Sequence, residues 1–421
     1  MDILLVNNFF SPEGGAERVL WEKYEGLKAR GHRVRVFATN RQPFMDPQWA
    51  LASIAPTYHD AQQASAWENL THFPKLLYNP EAEQHLTQLL KTDPPEVIHV
   101  DNLHFHLTPS VVVAAKRANI PVVMTIHDVR LACPAGTLMR GNTTYCAEEL
   151  CVGKNPAPCI QHRCYRGSLA NSVVVAAEMQ FRQAFGFLNS VASFTTPSKA
   201  LGQLMLRSGI SANRLTVLPN ALPQSFLAPP PAPAPQRPAE PYLLFVGRLS
   251  SEKGLPLLLE SMRQFPFPCP VHVVGTGIAE ADYRAFVREH GLENQVIFRG
   301  FLTGDDLRAA YANAVAVVVC SAWFEIFGLS IIEAFAMEKP VIGTDIGAIP
   351  ELVIPGETGL LFAPGDTAGL ARQVQALWDN PEGAKAMGLR GRDMVLQRFH
   401  PDAILPAWEA CYAELSQGVS R

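Results

Sequence analysis

The sequence Ser321-Ala-Trp-Phe-Glu-Ile-Phe-Gly-Leu-Ser-Ile-Ile-Glu-Ala-Phe-Ala336 places two carboxylates around a glycine turn. Glu325 precedes a glycine turn, and Glu333 lies about two turns along the helix that this turn opens. Backbone N–H groups without helical partners lie between the two carboxylates, and helix N-termini of this kind favour anions and hydroxyl oxygens. An amphipathic helix with a solvated glutamate at each end also explains the spacing. The neighbouring motifs must distinguish this interpretation from a ligand site.

Short apolar runs alternate with helical segments on both sides of this stretch. Each run ends in polar residues, which is typical of parallel strands buried on both faces of a sheet. The pattern predicts an α/β protein with two doubly wound, Rossmann-like domains that face each other across a cleft. The expected strands cover residues 3–6, 33–38, 97–100, 121–126, 193–196 and 215–218, and then 242–246, 271–274, 296–298, 315–320 and 340–343.

Length and a proline-rich segment indicate how the domains divide. The chain has 421 residues, more than the roughly 250 to 300 at which single cores stop growing. Residues 227–241 are rich in proline, so they form neither helix nor strand ladder and are interpreted as a semi-rigid connector. The predicted organisation is an N-terminal domain over 1–226, the connector over 227–241, a C-terminal domain over 242–398, and a segment over 399–421 whose helix returns to the first domain.

Composition argues against some classes of partner. The chain has 35 Lys and Arg residues against 39 Asp and Glu, so no field of the whole molecule attracts nucleic acid or an anionic bilayer. The first residues lack the basic region of a signal peptide, and no stretch approaches the roughly 20 apolar residues of a membrane span. We expect a cytoplasmic protein that binds no nucleic acid.

A loop with two cations follows the first strand of the second half. It reads Gly247-Arg-Leu-Ser-Ser-Glu-Lys-Gly254. The Arg248 guanidinium can bind a diphosphate through two donors, and Lys253 adds a point charge. A solvated surface loop is the plainer interpretation, because cations near a glycine turn are common. The paired glutamates of the same domain favour the phosphate site.

The first domain offers a glycine pair at a helix start. Gly14 and Gly15 follow the first strand, and glycine lets a backbone approach a phosphate closely. A plain turn explains the pair equally well. If the two domains face each other, this loop can contact the same diphosphate from the side opposite to Arg248 and Lys253.

A histidine and an aspartate occupy the carboxyl end of a predicted strand, where open α/β sheets place ligand-binding groups. His127 can bond a sugar hydroxyl or the transferring group, and Asp128 can orient the imidazole or contact an acceptor. A structural histidine beside a helix-capping aspartate is the alternative. A structural role is favoured for three upstream polar residues, His99, Asn102 and His104.

Four motifs follow one another along the chain: Gly-Gly-Ala-Glu-Arg at 14–18, His-Asp at 127–128, Gly-Arg and Lys-Gly within 247–254, and Glu-x7-Glu at 325–333 with Phe-Gly inside it. In this order they resemble glycosyltransferase family 4, whose members are retaining enzymes of the GT-B fold. The resemblance spans nearly the whole chain. It implies transfer of a hexosyl group from a UDP- or GDP-sugar to a hydroxyl of a glycan or a lipid-linked acceptor.

The resemblance also implies roles for individual residues. Arg248 and Lys253 would bind the donor diphosphate, and Glu333 would hold the ribose. Glu325 would contact the donor sugar, and His127 would lie near the reacting carbon. The other donor-side positions are Gly14, Gly15 and Gly247, the amides of Phe327, Gly328 and Leu329, and Gly275 and Phe298 near the base. The acceptor-side positions are Asp128, Asn102 and Arg130.

The sequence departs from the family at two glycine positions, and it has no aspartate motif for binding a metal. Ala221 and Ala348 stand where relatives commonly have glycine, although neither position carries a charged group. An Asp-x-Asp metal motif is absent from the sequence. Charge on the leaving diphosphate would then be met by Arg248, Lys253 and helix N-terminal amides, so we expect an enzyme that requires neither a metal nor another cofactor.

A cysteine-rich insertion covers about residues 129–167. Tetrahedral zinc is one interpretation of its thiols and His162, but the spacings lack the Cys-x2-Cys pairs of convincing sites. Disulfides are disfavoured in a reducing cytosol, so unligated structural thiols are preferred. The thiol positions are Cys133, Cys146, Cys151, Cys159 and Cys164, of which the last four are the zinc candidates.

The same insertion is locally basic. Its cations, Arg130, Arg140, Lys154, Arg163 and Arg166, outnumber Glu148 and Glu149. This basic segment can contact a lipid phosphate or the inner face of a membrane, and an ordinary solvated loop is an equal alternative.

The leading hypothesis for the function of the protein is a retaining transferase of cell-surface polysaccharide or glycolipid synthesis. A nucleotide-sugar 2-epimerase of the same fold and a non-catalytic nucleotide-sugar binding module are the alternatives.

Overall fold

The computed structural model describes residues 1–10, 14–39, 45–46, 74–141, 144–147, 149–153, 155–231, 241–265 and 267–418. The strands of its first half are β1 (Asp2–Asn7), β2 (Arg33–Phe37), β3 (Val97–Asn102), β4 (Val122–Thr125), β5 (Met139–Arg140), β6 (Thr144–Tyr145), β7 (Ser193–Thr196) and β8 (Leu215–Val217). Six of them form a parallel sheet in the order β2-β1-β3-β4-β7-β8. The hairpin of β5 and β6 is separate and antiparallel.

The second half repeats this architecture. Its strands are β9 (Leu243–Val246), β10 (Val271–Val274), β11 (Val296–Gly300), β12 (Ala316–Val319), β13 (Val341–Thr344) and β14 (Gly359–Phe362). They form a parallel sheet in the order β11-β10-β9-β12-β13-β14. The predicted α/β class with two Rossmann-like sheets is confirmed.

Helices connect the parallel strands, as crossover connections require. In the first half they are α1 (Gly15–Ala29), α2 (Pro80–Thr92), α3 (Ser110–Arg117), α4 (Ala157–Gln161), α5 (Leu169–Phe185) and α6 (Lys199–Arg207). In the second half they are α7 (Leu255–Ser261), α8 (Glu280–Glu289), α9 (Gly304–Asn313), α10 (Leu329–Ala336), α11 (Ile349–Leu352), α12 (Thr367–Trp378), α13 (Pro381–Arg398) and α14 (Pro401–Gly418).

Helix α14 returns to the first sheet, as predicted. Trp408 and Tyr412 are buried in one apolar cluster with residues of β1, α1 and β2. At the surface, Glu409 accepts hydrogen bonds from Arg30 at 2.7 Å and from the ring of His32 at 2.7 Å. The last helix of the chain therefore ties the second half of the protein to the first.

The two halves also meet directly at the edge of the cleft. Phe324 and Ile326, which follow β12, are buried in the apolar core of the first half. Ser198 donates from Oγ to the carbonyl of Ile326 at 2.6 Å. Glu351 of α11 accepts the backbone N–H groups of Lys199 at 3.0 Å and Ala200 at 2.6 Å, which places a carboxylate at the N-terminus of α6. No local sequence pattern indicates this helix cap between domains.

The predicted connector lies largely outside the described residues, because its positions 232–240 are among those left undescribed. The domain boundaries at 226 and 242 therefore stay predictions.

Candidate active site

Two helix N-termini face each other at the centre of the molecule. In the first sheet the strand order reverses at β1, and in the second it reverses at β9, so each sheet has a switch point where ligands commonly bind. Gly14 has φ +99° and opens α1, and Gly328 has φ +97° and opens α10. A Cβ placed on Gly15 would lie 3.6 Å from Cδ1 of Leu329. The two glycine loops that the sequence singled out are therefore in contact across the cleft.

Glu325 is held by a cation and a hydroxyl. Lys253 Nζ lies 2.9 Å from its Oε2 atom, and Ser321 Oγ donates to the same oxygen at 2.8 Å. Burial alone raises the pKa of Glu325, but the charge and hydrogen bond of Lys253 and the bond from Ser321 outweigh it and lower that pKa. An ionised carboxylate and an ammonium thus stand together at the end of β12.

Arg248 extends away from this pair. Its side chain is 65% exposed and its guanidinium lies 3.3 Å from Glu252 on the same loop.

Two close backbone approaches position the loop that carries Arg248 and Lys253. Gly254 has φ +70°, and a Cβ there would lie 1.8 Å from the carbonyl oxygen of Cys320. A Cβ on Gly275 would lie 2.0 Å from the carbonyl oxygen of Gly247. Only glycine fits at either place, so both loops after β9 and β10 depend on it.

Glu333 is buried on the inner face of α10, and each of its oxygens has a partner. Arg18 of α1 donates from Nη1 to Oε1 at 2.8 Å, and Tyr311 of α9 donates from its hydroxyl to Oε2 at 2.8 Å. Burial raises the pKa of Glu333 above its ordinary value, although Arg18 and Tyr311 act in the opposite direction. The carboxylate predicted for the ribose is therefore engaged by the opposite domain.

The positions predicted near the base lie at the edge of the second sheet. The amide of Gly275 donates to the carbonyl of Gly300 at 2.8 Å. Phe298 packs toward the core, and the Arg284 guanidinium lies 4.3 Å from its ring centroid. The next aromatic residue, Phe301, is 69% exposed beside the same edge. Phe298 was the predicted position, but Phe301 is the aromatic residue beside this edge whose ring is exposed to solvent.

His127 is oriented by a residue that the sequence argument missed. Its Nε2 atom lies 2.7 Å from Oδ1 of Asp101. Asp101 lies on β3, and its side chain is fully buried. Lys23 of α1 lies 3.0 Å from the same oxygen. Burial raises the pKa of Asp101, but the charge of Lys23 and the hydrogen bond from His127 outweigh it and hold that pKa well below its ordinary value. Because Asp101 is ionised, Nε2 carries a proton, and Nδ1 is left as the nitrogen that can meet a ligand.

His99 belongs to a structural network behind this pair. Its Nε2 atom lies 2.7 Å from the hydroxyl of Thr125, and its Nδ1 atom contacts the hydroxyl of Tyr412 on α14. Burial and then the charge of Lys23 hold the pKa of His99 well below its ordinary value, so the ring is neutral. This agrees with the structural role that the sequence favoured for His99.

Asp128 does not orient His127, and that part of the prediction is wrong. Its Oδ2 atom lies 3.0 Å from Nε2 of His104, and its Oδ1 atom accepts the backbone N–H of Arg130 at 2.8 Å. Burial raises the pKa of Asp128, but His104 and Arg130 outweigh it and lower that pKa. Asn102 accepts the backbone N–H of His104 at 3.2 Å. The acceptor-side candidates therefore form one paired cluster next to His127.

The cysteines of the insertion converge on a small cavity. The volume of this cavity is about 20 Å³, and it is lined by Cys133, Cys146, Cys151, Cys159, His162 and Cys164. All five thiols are free and buried. Across the part of the chain that the structure describes, no three His, Cys, Asp or Glu side chains are arranged to hold a metal ion. The geometry gives the zinc interpretation no support.

Sequence reasoning missed three residues that the fold brings to the cleft, Arg18, Lys23 and Asp101. Lys23 carried a signal, because it lies on the apolar face of α1 between Leu20 and Leu27. Asp101 also carried one, because it lies near the carboxyl end of a buried strand, at the ligand-binding edge. Arg18 belongs to the motif that was quoted, but its partner is 315 residues away.

Facing Rossmann-like sheets, with cations and glycine-opened helices at the carboxyl ends of their strands, are the architecture of the GT-B fold. Family models bear this out: "Glycosyl transferases group 1" matches residues 232–394, and "Glycosyl transferase 4-like domain" matches residues 14–221. The chain belongs to this group 1, family 4-like set of glycosyltransferases, which confirms the resemblance found in the sequence.

Curated relatives show how far the likeness reaches. The 2-deoxystreptamine glucosyltransferase of Streptomyces kanamyceticus is 28% identical over 306 residues, which are 68% of this chain and 69% of that protein. Glycogen synthase of Mycobacterium tuberculosis is 32% identical over 184 residues, which are 43% of this chain and 44% of that protein. The chain thus spans less than half the length of the second relative.

Solved structures share the fold over nearly the whole chain. Sucrose-phosphate synthase from Thermosynechococcus elongatus aligns with a TM-score of 0.73 at 21% identity, over 99% of this chain and 100% of that one. Anabaena HepE in complex with UDP aligns with a TM-score of 0.68 at 20% identity, over 98% of this chain and 100% of that one. In the described ranges, no helix has both the length and the apolar character needed to cross a membrane.

Proposed function

We propose that the protein transfers a hexosyl group from a nucleoside diphosphate sugar to a hydroxyl group, with retention of the anomeric configuration. The observation that carries this proposal is the contact between the start of α1 and the start of α10, with Lys253, Glu325 and Glu333 around it. Helix N-termini and cations bind a diphosphate, and buried carboxylates bind hydroxyl groups. Together these groups would meet the diphosphate, the ribose and the sugar of one donor.

Each part of the donor is assigned to the protein groups that match its charge and its hydrogen-bonding atoms. The diphosphate meets Lys253, Arg248 and the helix amides, and the ribose hydroxyls meet Glu333. The donor sugar meets Glu325, whose ionised carboxylate accepts hydrogen bonds from ring hydroxyls. The base lies at the edge formed by Gly275 and the end of β11. HepE has been crystallised with UDP-glucose, which makes UDP-sugars the first donors to test.

The reaction needs stabilisation of the leaving diphosphate. Lys253 would meet the negative charge that grows as the glycosidic bond breaks, and Arg248 would reach it by turning away from Glu252. Charged donors of this kind supply much of the rate enhancement of many enzymes. We infer that the leaving phosphate takes the proton of the acceptor hydroxyl. His127, oriented by Asp101, contacts the sugar near the reacting carbon through Nδ1. These charges give the site a route that uses neither a divalent ion nor another cofactor.

The acceptor enters beside the paired cluster of Asp128 and His104. A glycan or lipid-linked glycan fits this part of the cleft, because sugar hydroxyls match its carboxylate and imidazole groups. Arg130 and the other cations of the insertion would meet a lipid phosphate. The proposal therefore includes a role in cell-surface polysaccharide or glycolipid synthesis, with contact at the inner face of the membrane.

The test is thermal stabilisation by a panel of UDP-, GDP- and ADP-sugars in the presence of EDTA. A ligand at 100 times its Kd adds about 2.7 kcal/mol of stability. A shift with one nucleotide family, lost in Glu333→Ala, supports the donor site, and no shift with any donor overturns it. The stabilising donor is then incubated with glycan acceptors and the product is analysed by NMR. A new bond of retained configuration supports transfer; an epimerised sugar, or binding without turnover, supports one of the alternatives.

A further inference from the structure

The ion pair between Arg18 and Glu333 joins the two domains at the predicted ribose site. Arg18 Nη1 lies 2.8 Å from Oε1 of Glu333, which is only 3% exposed. The second oxygen is held by Tyr311, a fully buried residue of the same domain. Tyr311 is fixed by its surroundings, so Oε1 is the oxygen whose partner can change.

Arg18 is placed so that it can change partners. Its side chain is 35% exposed, unlike the carboxylate that it contacts. It projects from the first turn of α1, and its guanidinium lies 5.7 Å from the ring centroid of Phe226. The start of α1, at Gly15, is in contact with Leu329 at the start of α10. A guanidinium anchored one turn from this contact can reach either Glu333 or an anion bound between the two helices.

A ribose diol and Arg18 compete for the same oxygen. Both are hydrogen-bond donors, and Oε1 already accepts a charge-assisted bond from Arg18. A ligand with a ribose alone must displace the guanidinium and leaves it without a partner. A ligand that also has a diphosphate offers the guanidinium a new anion, for which its planar fork is well suited.

We propose that Arg18 is a specificity-determining residue that exchanges its bond with Glu333 for one with the donor diphosphate when the sugar nucleotide binds. This inference rests on the proposed function, because it takes Glu333 as the ribose ligand. A nucleoside binds more weakly because it breaks the bond between Arg18 and Glu333 and leaves Arg18 without a partner. A nucleoside diphosphate breaks the same bond but gives Arg18 a new one. The domain interface thereby selects ligands by the presence of the diphosphate.

The experiment compares a nucleoside with its diphosphate in wild type and in Arg18→Met, which keeps an apolar side chain over Phe226 but removes the charge. Titration calorimetry is done at pH 8.5 to favour ionised Glu333, with the base identified by the sugar-nucleotide panel. We expect the nucleoside to bind about tenfold tighter in Arg18→Met and the nucleoside diphosphate about tenfold weaker. Changes of opposite sign in the binding affinities of the two ligands would indicate an exchange.

Other patterns overturn the inference. If both ligands bind more weakly in Arg18→Met, the residue is a simple ligand or a structural one, and if neither changes, it has no part in binding. Arg18→Ala gives the same comparison should Arg18→Met have a lowered Tm. Tyr311→Phe is the matched control, because it removes the other partner of Glu333 and must shift both ligands in one direction.

A failure of the proposed function looks different. In that case wild type binds no nucleoside diphosphate, or Glu333→Gln binds it as tightly as wild type does. If wild type binds the diphosphate and Glu333→Gln weakens both ligands, the ribose site stands and only the Arg18 comparison decides the exchange.

Discussion

Asp101 accepts two donors at one oxygen: His127 Nε2 lies 2.7 Å from Oδ1, and Lys23 Nζ lies 3.0 Å from it. The carboxylate is fully buried, and Lys23 is 5% exposed. Lys23 supplies the charge that keeps Asp101 ionised, and Asp101 in turn fixes the ring of His127. The position of His127 at the cleft therefore depends on a lysine of the first helix.

Asp101→Asn is predicted to lower both stability and turnover. It leaves Lys23 buried without a counter-charge, and breaking a buried pair costs about 3–5 kcal/mol. It also replaces the carboxylate that orients His127 with a neutral amide, whose weaker hydrogen bond holds the ring less firmly, and misplacing a group at the reacting centre can cost about 100-fold in rate. Urea unfolding and steady-state kinetics measure the two effects separately.

The double variant Asp101→Asn with Lys23→Met serves as the control. Its stability should return toward that of wild type, because no buried charge is left unpaired, while turnover should stay low because no carboxylate orients His127. A double variant that regains turnover along with stability would show that Asp101 only stabilises the fold.

Lys253→Ala is predicted to lower turnover by about 100-fold or more, because it removes a cation from the place where the leaving diphosphate develops charge. The variant also leaves Glu325 without its counter-ion, so unfolding is measured alongside the kinetics. Arg372→Ala is the matched control, since this exposed arginine of α12 pairs only with Asp366 in the described structure. Near-normal turnover of a folded Lys253→Ala would remove Lys253 from the mechanism.

The fold could be predicted from the sequence because buried parallel strands are continuous apolar runs. Residues 193–196 and 271–274 were expected as strands, and the structure has Ser193–Thr196 and Val271–Val274. Strand β14 was missed because it begins with Gly359, where a Cβ would lie 2.1 Å from the carbonyl of Val341, so glycine replaces the usual branched residue. The β5–β6 hairpin was missed because each strand has two residues.

The site could be predicted only where a motif holds both partners or ends a strand. Glu325, Lys253 and His127 could be singled out as candidates because each follows a buried strand within its own domain. The contacts of Glu333 with Arg18 and of Asp101 with Lys23 join helix α1 to residues 315 and 78 positions away. No local pattern encodes such a pairing, because it depends on how the sheets and domains pack.

Gly347→Ala is predicted to impair donor binding strongly, whereas Gly356→Ala should not. Both glycines have positive φ, +58° and +78°, so the backbone strain of the two substitutions is similar. A Cβ on Gly347 would lie 2.3 Å from the carbonyl oxygen of Glu325, but a Cβ on Gly356 would meet nothing within 4 Å. Thermal shifts with the sugar-nucleotide panel compare the two variants, and equal loss in both would attribute the effect to strain alone.

Glu409 is predicted to make the docking of α14 sensitive to acid. Hydrogen bonds from Arg30 and His32 lower the pKa of Glu409 from its ordinary value of 4.5 to about 2. A carboxylate with a depressed pKa contributes stability above its unfolded pKa and loses it as the pH falls, here between about 4.5 and 2. The contribution is small because the pair is screened by solvent.

The measurement is the free energy of unfolding of wild type and Glu409→Gln from pH 7 to pH 2.5. The two proteins should differ most at pH 7 and converge as the pH falls through this window. Glu414→Gln, an exposed residue of the same helix, controls for loss of charge on α14. A constant difference between Glu409→Gln and wild type at every pH would show that the ion pair does not contribute.

Cys164 is predicted to be the reactive thiol of the insertion. A hydrogen bond from Cys159, and then the backbone of Gly141 and the charges of His162 and Arg140, lower the pKa of Cys164 below its ordinary value of 9.0, against the effect of burial. Because the thiolate is the nucleophile, alkylation by iodoacetamide should reach half its maximal rate well below pH 9 at Cys164. Burial raises the pKa of Cys269 to about 12, so that thiol should stay unreactive in the same peptide map. Cys159→Ala should move the midpoint of Cys164 upward, and an unchanged midpoint would rule out the hydrogen bond as its cause.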